Sequence, residues 1–169
     1  MAAKLKSPHI LNAGPNSRAL ISNLSGLLAP QQLRILEEEI RRNVRDLFVL
    51  GESHFNFAVT VPAAEWRQRV SRLYYGAYNV RRAIALEVDG SFAMDSSDHK
   101  NVTQIPDDFP DFSTYRSKLT TLRDERNLSD YNHLAVEGDL LDSVSSYQDT
   151  VRDFISHART YLTNRGVIL

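Results

Sequence analysis

Four long segments of the chain repeat apolar residues at spacings of three and four, the pattern of helices that bury one face. The clearest covers residues 140–162, and the others cover residues 31–50, 62–88 and 113–133. The alternating apolar run at residues 55–61 would have no second strand to pair with. We therefore expect a loop or a helical continuation there, with its aromatic rings packed inward. The pattern predicts an all-α fold, an antiparallel four- to five-helix bundle.

Prolines and glycines mark the expected helix ends. Pro30 suits the first position of the first long helix, where its missing N–H costs nothing, and Gly51 is the expected stop. Pro62 is expected to open the longest helix, which Asp89-Gly90 would end. Gly166 is placed to close the last turn of the C-terminal helix.

The domain organisation is read from shifts in composition. Residues 1–16 mix Lys, Pro, Gly and Asn without periodicity and are predicted to form a flexible N-terminal arm. A short helical turn is expected at residues 17–28, inside a single helical domain at residues 17–165. The loop at residues 91–111 is long for a compact domain, so it is either functional or partly disordered. Its acidic residues match no metal-binding pattern, and we expect neither a metal nor a cofactor.

Composition narrows the class of protein. The 169 residues suffice for a sizeable core, and the net charge of −1 gives no global attraction to nucleic acid. No cysteine is present, the lysine-containing N-terminus lacks the apolar core of a signal peptide, and no apolar run approaches the length of a membrane span. We expect a soluble, cytoplasmic protein that does not associate with membranes.

The segment from Ser113 to His133 changes chemistry along its length. Leu119 begins an apolar stripe, and the next two heptad steps carry Arg126 and His133. If the helix reaches its expected end, these two residues share one face, about 10 Å apart along the axis. Arginine can hold two phosphate oxygens and histidine can exchange a proton near neutral pH. The pair therefore suggests a site that acts on a phosphodiester.

A structural interpretation competes with this one. Arginines near a helix end often form ion pairs, and Asp130 lies one turn from Arg126. A histidine there can cap carbonyl groups and favour the helix dipole. From spacing alone the structural interpretation is favoured.

The helix at residues 62–88 also combines cations with aromatic rings. Its arginines could follow phosphates, although arginines in such positions more often form a solvated face. Tyr74 and Tyr75 could stack on bases, but core packing is the expected role at helical spacing. His54 has no companion at metal-ligand spacing and is taken as incidental. The arginines are Arg67, Arg69, Arg72, Arg81 and Arg82.

Two segments together resemble a known family. The sequence SRLYYGAYNVRRAIAL at residues 71–86 resembles the first signature helix of HEPN domains. Arg126, followed by the polar Asn127 and later by His133, is similar to their R-x(4–6)-H motif. The loop with His99-Lys100 and the block LRDERNLSDY are also similar, and the likeness covers about residues 30–162.

The resemblance implies a HEPN-like bundle that forms a homodimer, with both motifs in one cleft. Many such domains are metal-independent endoribonucleases of toxin–antitoxin or defence systems, and DNA would not be a substrate. By that likeness His133 would move protons at the ribose and leaving oxygens, Arg126 would hold the phosphate, and Asn127 would orient the pair. A nucleotidyltransferase antitoxin is an implied partner, and in some pairs it modifies a tyrosine beside the motif, a position to which Tyr131 compares only loosely. Candidate RNA contacts are Arg72, Arg81, Arg82, His99 and Lys100.

The spacing of the motif leaves an alternative within the same family. Six residues separate Arg126 from His133, whereas counting four from Arg126 reaches Tyr131. Many HEPN chains carry such an R-x-x-A/S-D-Y pattern without clear catalysis. In that interpretation Arg126, Asp130 and Tyr131 form a hydrogen-bonded group, and the chain is a non-catalytic module that binds a nucleotide or a nucleotidyltransferase. A helical scaffold without a nucleic-acid role is the third hypothesis.

Overall fold

The computed structural model describes residues 16–92 and 96–169, and within them the chain is a bundle of helices without strands. The prediction of an all-α bundle is confirmed at this level. Two 3-10 helices, Ser96–Thr103 and Glu137–Asp139, accompany the α-helices. The α-helices are α1 (Ser17–Leu24), α2 (Pro30–Thr60), α3 (Trp66–Asp89), α4 (Phe112–Tyr131) and α5 (Val144–Asn164).

Helix α3 is the central element of the bundle, since it packs against α2, α4, α5 and the Ser96–Thr103 helix. Most of its residues are buried, which explains why small and apolar side chains alternate with tyrosines along it. The core contains Phe48 of α2, Leu73 and Val80 of α3, Leu119 of α4 and Phe154 of α5. Any residue on the α4-facing side of α3 is therefore held by packing on several sides.

Gly51 does not stop α2, which is 31 residues long and continues through the glycine to Thr60. A Cβ atom at Gly51 would lie 2.6 Å from Cγ2 of Val80 and 2.7 Å from the carbonyl oxygen of Gly76. The glycine is there because α2 and α3 approach each other too closely for a side chain. The expected stop was therefore wrong, and α2 rather than the helix after Pro62 is the longest in the described part of the chain. Pro62 does not open that next helix either, because α3 begins at Trp66.

The uncertain run after Gly51 is a helical continuation, one of the two expected forms. Its rings do not all face inward, however. Phe55 packs against the core, whereas Phe57 is 53% exposed on the surface of α2. Inward packing is therefore confirmed for Phe55 and wrong for Phe57.

Three of the expected helix ends match the structure. Pro30 lies in the first turn of α2, and Gly90 ends α3 in the left-handed conformation with φ +76°. Gly166 also has a positive φ, +85°, just after α5. Helix α5 itself begins later than expected, at Val144, where the Ser143 side chain accepts a hydrogen bond from the Ser146 amide.

The segment at residues 91–111 contains an ordered 3-10 helix, Ser96–Thr103. It packs against both α3 and α4. Residues 93–95 of this segment and residues 1–15 of the expected flexible arm lie outside the described residues. The division into an arm and one domain at residues 17–165 stays a prediction.

In the part of the chain that the structure covers, no helix combines the length and the apolar character required to cross a bilayer.

Candidate anion-binding cleft

Arg126 lies near the C-terminal end of α4 and is engaged on most of its guanidinium edge. Its Nη2 donates to the Tyr75 hydroxyl at 2.8 Å. Its Nη1 donates to Asn127 Oδ1 and to the Tyr131 hydroxyl, each at 3.2 Å. Its Nε lies 2.7 Å from Asp130 Oδ2, and the side chain is 12% exposed. The four partners hold the guanidinium in one orientation.

The surroundings of Arg126 keep it charged. Burial by itself lowers the pKa of this guanidinium, but the hydrogen bond with Tyr131 and the charge of Asp130 outweigh it, so the pKa is raised. Its Cζ atom also lies 5.4 Å from the ring centroid of Tyr75 and 5.2 Å from that of Tyr131. The result is a fixed positive charge among tyrosine rings.

His133 lies outside α4, because the helix ends at Tyr131 and the backbone of Asn132 is extended. It is exposed in the following turn, and within residues 16–92 and 96–169 its side chain has no hydrogen bond, ion pair or ring contact. The expectation that Arg126 and His133 share one helical face is therefore wrong. A meeting of the two across a dimer stays a prediction. The buried residues of α4 are Tyr115, Leu119, Leu122, Glu125 and Ser129.

The turn that carries His133 is held by Arg67 at the start of α3. Nη1 of Arg67 donates to the carbonyl oxygens of Ser129 and Asn132, at 2.7 and 2.8 Å. Its Nη2 donates to the carbonyl oxygen of Ala135. One side chain thus satisfies carbonyl groups that the end of α4 would leave without partners.

A cleft of about 560 Å³ opens beside Arg126, between α3, α4 and the Ser96–Thr103 helix. The histidine at this cleft is His99, a candidate RNA contact in the sequence, and not His133. Lys100 is exposed at its edge and forms no ion pair with any residue that the structure describes. The lining residues are Tyr74, His99, Lys100, Arg123, Asp124, Arg126 and Asn127.

The imidazole of His99 is fixed by two tyrosines of α3. Its Nδ1 lies 2.8 Å from the Tyr74 hydroxyl, and its ring stacks on Tyr78 with centroids 4.7 Å apart. Burial and the charges of Arg126 and Arg82 lower the pKa of His99. The ring is consequently neutral at pH 7 and able to accept a proton.

Asp98 anchors the Ser96–Thr103 helix to α3 and so determines where His99 lies. Its completely buried carboxylate is 3.1 Å from both Nη1 of Arg81 and Nε of Arg82. Arg81 also donates from Nε to the carbonyl oxygen of Gln104 at 3.0 Å. Arg81 is only 4% exposed, so its expected role as an RNA contact does not fit this position.

Two other candidate RNA contacts have different surroundings. Arg82 is one-fifth exposed and lies with Cζ 4.2 Å from the ring centroid of Phe92. Arg72 lies next to His54 and Phe57. Neither residue lines the cleft at His99.

The cleft is suited to an anion. Arg123 is partly neutralised by Asp124, whose Oδ1 lies 2.9 Å from its Nη2. Lys100 adds positive charge, Arg126 adds charge that Asp130 partly offsets, and His99 adds more when it is protonated. Such a group of donors matches the oxygens of a phosphate.

Sequence reasoning placed His99 and Lys100 among RNA contacts but missed their meeting with Arg126. The sequence feature that could have indicated this meeting was the loop at residues 91–111, whose length indicates a functional segment. Comparison with known proteins adds nothing to this geometry, since the chain matches no family model, no curated protein and no solved structure.

Proposed function

We propose that this chain is a HEPN-like, non-catalytic binding module whose cleft at His99 and Arg126 holds the phosphate of a nucleotide. The observation that carries the proposal is the convergence of His99, Lys100, Arg123 and Arg126 on one cleft. These side chains come from two separate segments, so their meeting is a product of the fold. The chain as a whole carries a net charge of −1, so the positive charge of the cleft is a local feature of its surface.

The contacts of Arg126 leave it able to bind a phosphate without moving. A guanidinium has five N–H donors, and the hydrogen bonds of Arg126 to described residues leave from Nη1 twice and from Nη2 once, while its Nε lies in an ion pair with Asp130 without forming a hydrogen bond. One Nη2 hydrogen has no partner among the described residues. Lys100 supplies a second, exposed charge at the same cleft.

The same contacts favour binding over catalysis. Arg126 forms an ion pair with Asp130 and donates a hydrogen bond to Tyr131, contacts that support the non-catalytic interpretation of the motif. The histidine of the motif, His133, lies in an exposed turn beyond α4. Within one chain, therefore, Arg126 is held by neighbouring side chains and keeps one N–H group available for an anion, but it does not contact His133.

Calorimetric titration with inorganic phosphate and with adenosine monophosphate tests the proposal. The double variant Lys100→Ala, Arg123→Ala removes two charges from the cleft and is expected to weaken both affinities about tenfold or more, at low salt. The matched control is Arg116→Ala, Lys118→Ala, which removes two exposed charges from α4 away from the cleft. Equal losses in both double variants, or no binding by the parent at millimolar ligand, would overturn the proposal.

A second candidate function is the metal-independent endoribonuclease, acting as a homodimer. The observation that favours it is a neutral histidine, His99, at the same cleft as a charged Arg126. A neutral imidazole can take the proton of a ribose hydroxyl while the guanidinium stabilises the phosphorane charge. In a dimer, His133 from either chain could serve instead.

Incubation of the purified protein with mixed-sequence RNA in EDTA distinguishes the two functions. If the second candidate is right, RNA is cut to products with 2′,3′-cyclic phosphate ends and DNA is left intact. Arg126→Ala abolishes the cleavage, and comparison of His99→Ala with His133→Ala identifies which histidine acts. If the parent binds phosphate but cuts no RNA, the binding module stands.

A further inference from the structure

We propose that the pocket formed by Ser53, His54, Phe57 and Arg72 is a nucleobase subsite adjoining the phosphate cleft. The proposal rests on the proposed function and extends it, because it assigns a single-stranded oligonucleotide, rather than a lone nucleotide, as the ligand class. It also gives a role to His54, which the sequence left without one, and to Phe57, whose ring does not pack inward as expected.

The pocket joins α2 to α3 and has a volume of about 250 Å³. Ser53, His54 and Phe57 lie within five consecutive residues of α2, at spacings that place them on one side of that helix. Arg72 closes the pocket from α3, with its Cζ atom 5.4 Å from the ring centroid of Phe57. An aromatic ring beside a guanidinium is a pair on which a base can stack.

The exposure of Phe57 is the feature that core packing does not explain. Its neighbour Phe55 packs against the core, whereas more than half of Phe57 faces solvent. A single exposed phenyl ring is unremarkable by itself. Its placement at a pocket that also holds a cation and two hydrogen-bonding side chains distinguishes it from a scattered surface residue.

The polar groups of the pocket have defined hydrogen-bonding roles. Nη1 of Arg72 lies 3.4 Å from Nδ1 of His54, and because arginine only donates, Nδ1 must accept. The neutral imidazole then carries its proton on Nε2, which is a donor. Burial and the charge of Arg72 lower the pKa of His54, which favours the neutral form of the ring at neutral pH. Together with the Ser53 hydroxyl, it offers the donors and acceptors that base edges require.

Tyr75 connects this pocket to the phosphate cleft. Its ring centroid lies 5.7 Å from that of His54, and its hydroxyl accepts the 2.8 Å hydrogen bond from Arg126. The adjacent residue on α3, Tyr74, lines the phosphate cleft itself. The two sites therefore both adjoin Tyr75 and have a cation each, as a chain of nucleotides requires.

Fluorescence titration with a single-stranded hexaribonucleotide that contains 2-aminopurine tests the subsite. Stacking in the pocket is expected to quench the probe when it binds the parent. Phe57→Ala should weaken hexanucleotide binding about tenfold and abolish the quenching, while Phe57→Trp should retain both. Leu50→Ala is the matched control, since it removes a similarly exposed apolar side chain from α2 outside the pocket. If Phe57→Ala fails to fold, Phe57→Leu keeps the apolar volume without the ring.

Inorganic phosphate separates failure of the subsite from failure of the proposed function. Phosphate has no base, so its affinity should depend on Lys100 and Arg123 and not on Phe57. If Phe57→Ala and Phe57→Leu bind the hexanucleotide within twofold of the parent, the subsite is wrong while the cleft stands. If neither phosphate nor the hexanucleotide binds the parent, both proposals are overturned.

Discussion

The carboxylate of Asp98 lies 3.1 Å from Nη1 of Arg81, and neither side chain is more than 4% exposed. Charged groups with so little access to water need each other, because a buried charge without a partner is costly. This pair ties the Ser96–Thr103 helix to the middle of α3. It is thus the link between the bundle core and the position of His99 at the cleft.

Replacing Asp98 should therefore be strongly destabilising. Asp98→Asn removes the carboxylate that contacts the buried guanidinium of Arg81, and we expect a loss of about 3–5 kcal/mol in the free energy of unfolding. Urea denaturation measures it. The control is Asp124→Asn, which removes an exposed partner of Arg123 and should cost less than about 1 kcal/mol. Equal stability of the two variants would show that the buried pair does not hold the segment.

Gly51 should not tolerate a side chain although it lies inside a helix. Alanine normally stabilises a helix interior by about 0.5–1 kcal/mol relative to glycine. At this site the added Cβ would lie 2.6 Å from Val80, so Gly51→Ala is expected to lose about 1–3 kcal/mol in urea denaturation. Gly138→Ala is the control, because apart from its neighbours in the chain no atom lies within 4 Å of the added carbon. A gain in stability for Gly51→Ala would mean that α2 and α3 are less closely packed than described.

The guanidinium of Arg67 should be needed to order the end of α4. Arg67→Ala leaves the carbonyl groups of Ser129, Asn132 and Ala135 without this donor, and we expect a loss of about 1–3 kcal/mol. Arg67→Lys keeps the charge but not the forked donors, so it should recover only part of the loss. Hydrogen exchange of the amides in residues 128–135 should accelerate in Arg67→Ala. Unchanged exchange there would contradict the capping role.

Stability should fall when the pH drops below about 6.5, the ordinary pKa of histidine. His54 and His99 both have lowered pKa values in the fold, so the unfolded chain binds their protons first. Their contribution is fully present above pH 6.5 and is lost as the pH falls through the lower folded pKa values. Thermal unfolding between pH 8 and pH 5 measures the effect.

Variants identify the source of that pH dependence. His54→Gln, His99→Gln should lose stability less steeply on acidification than the parent protein. His133→Gln is the matched control, since the His133 side chain is exposed and has no contact among the described residues. A parent and double variant with the same pH profile would contradict the assignment to His54 and His99.

The sequence predicted the helical class and much of the core because these follow from local spacing. Residues such as Leu119 and Leu122 recur at helical intervals and are buried. The stop at Gly51 was wrong for a reason that is not local: the glycine serves a contact with Val80, distant in the chain. Spacing likewise paired Arg126 with His133, whereas α4 ends before His133 is reached.

By itself, then, the sequence determined that this protein is a bundle of helices and that Arg126 is a focus of its polar chemistry. The helical spacing of apolar residues and the signals at helix ends are properties of residues close together in the sequence, so they can be recognised from the sequence alone. Only the tertiary structure decided which histidine lies beside Arg126 and which phenylalanine stays on the surface. Those positions depend on a buried Asp98–Arg81 pair and on the close approach of α2 to α3, contacts between residues far apart in sequence.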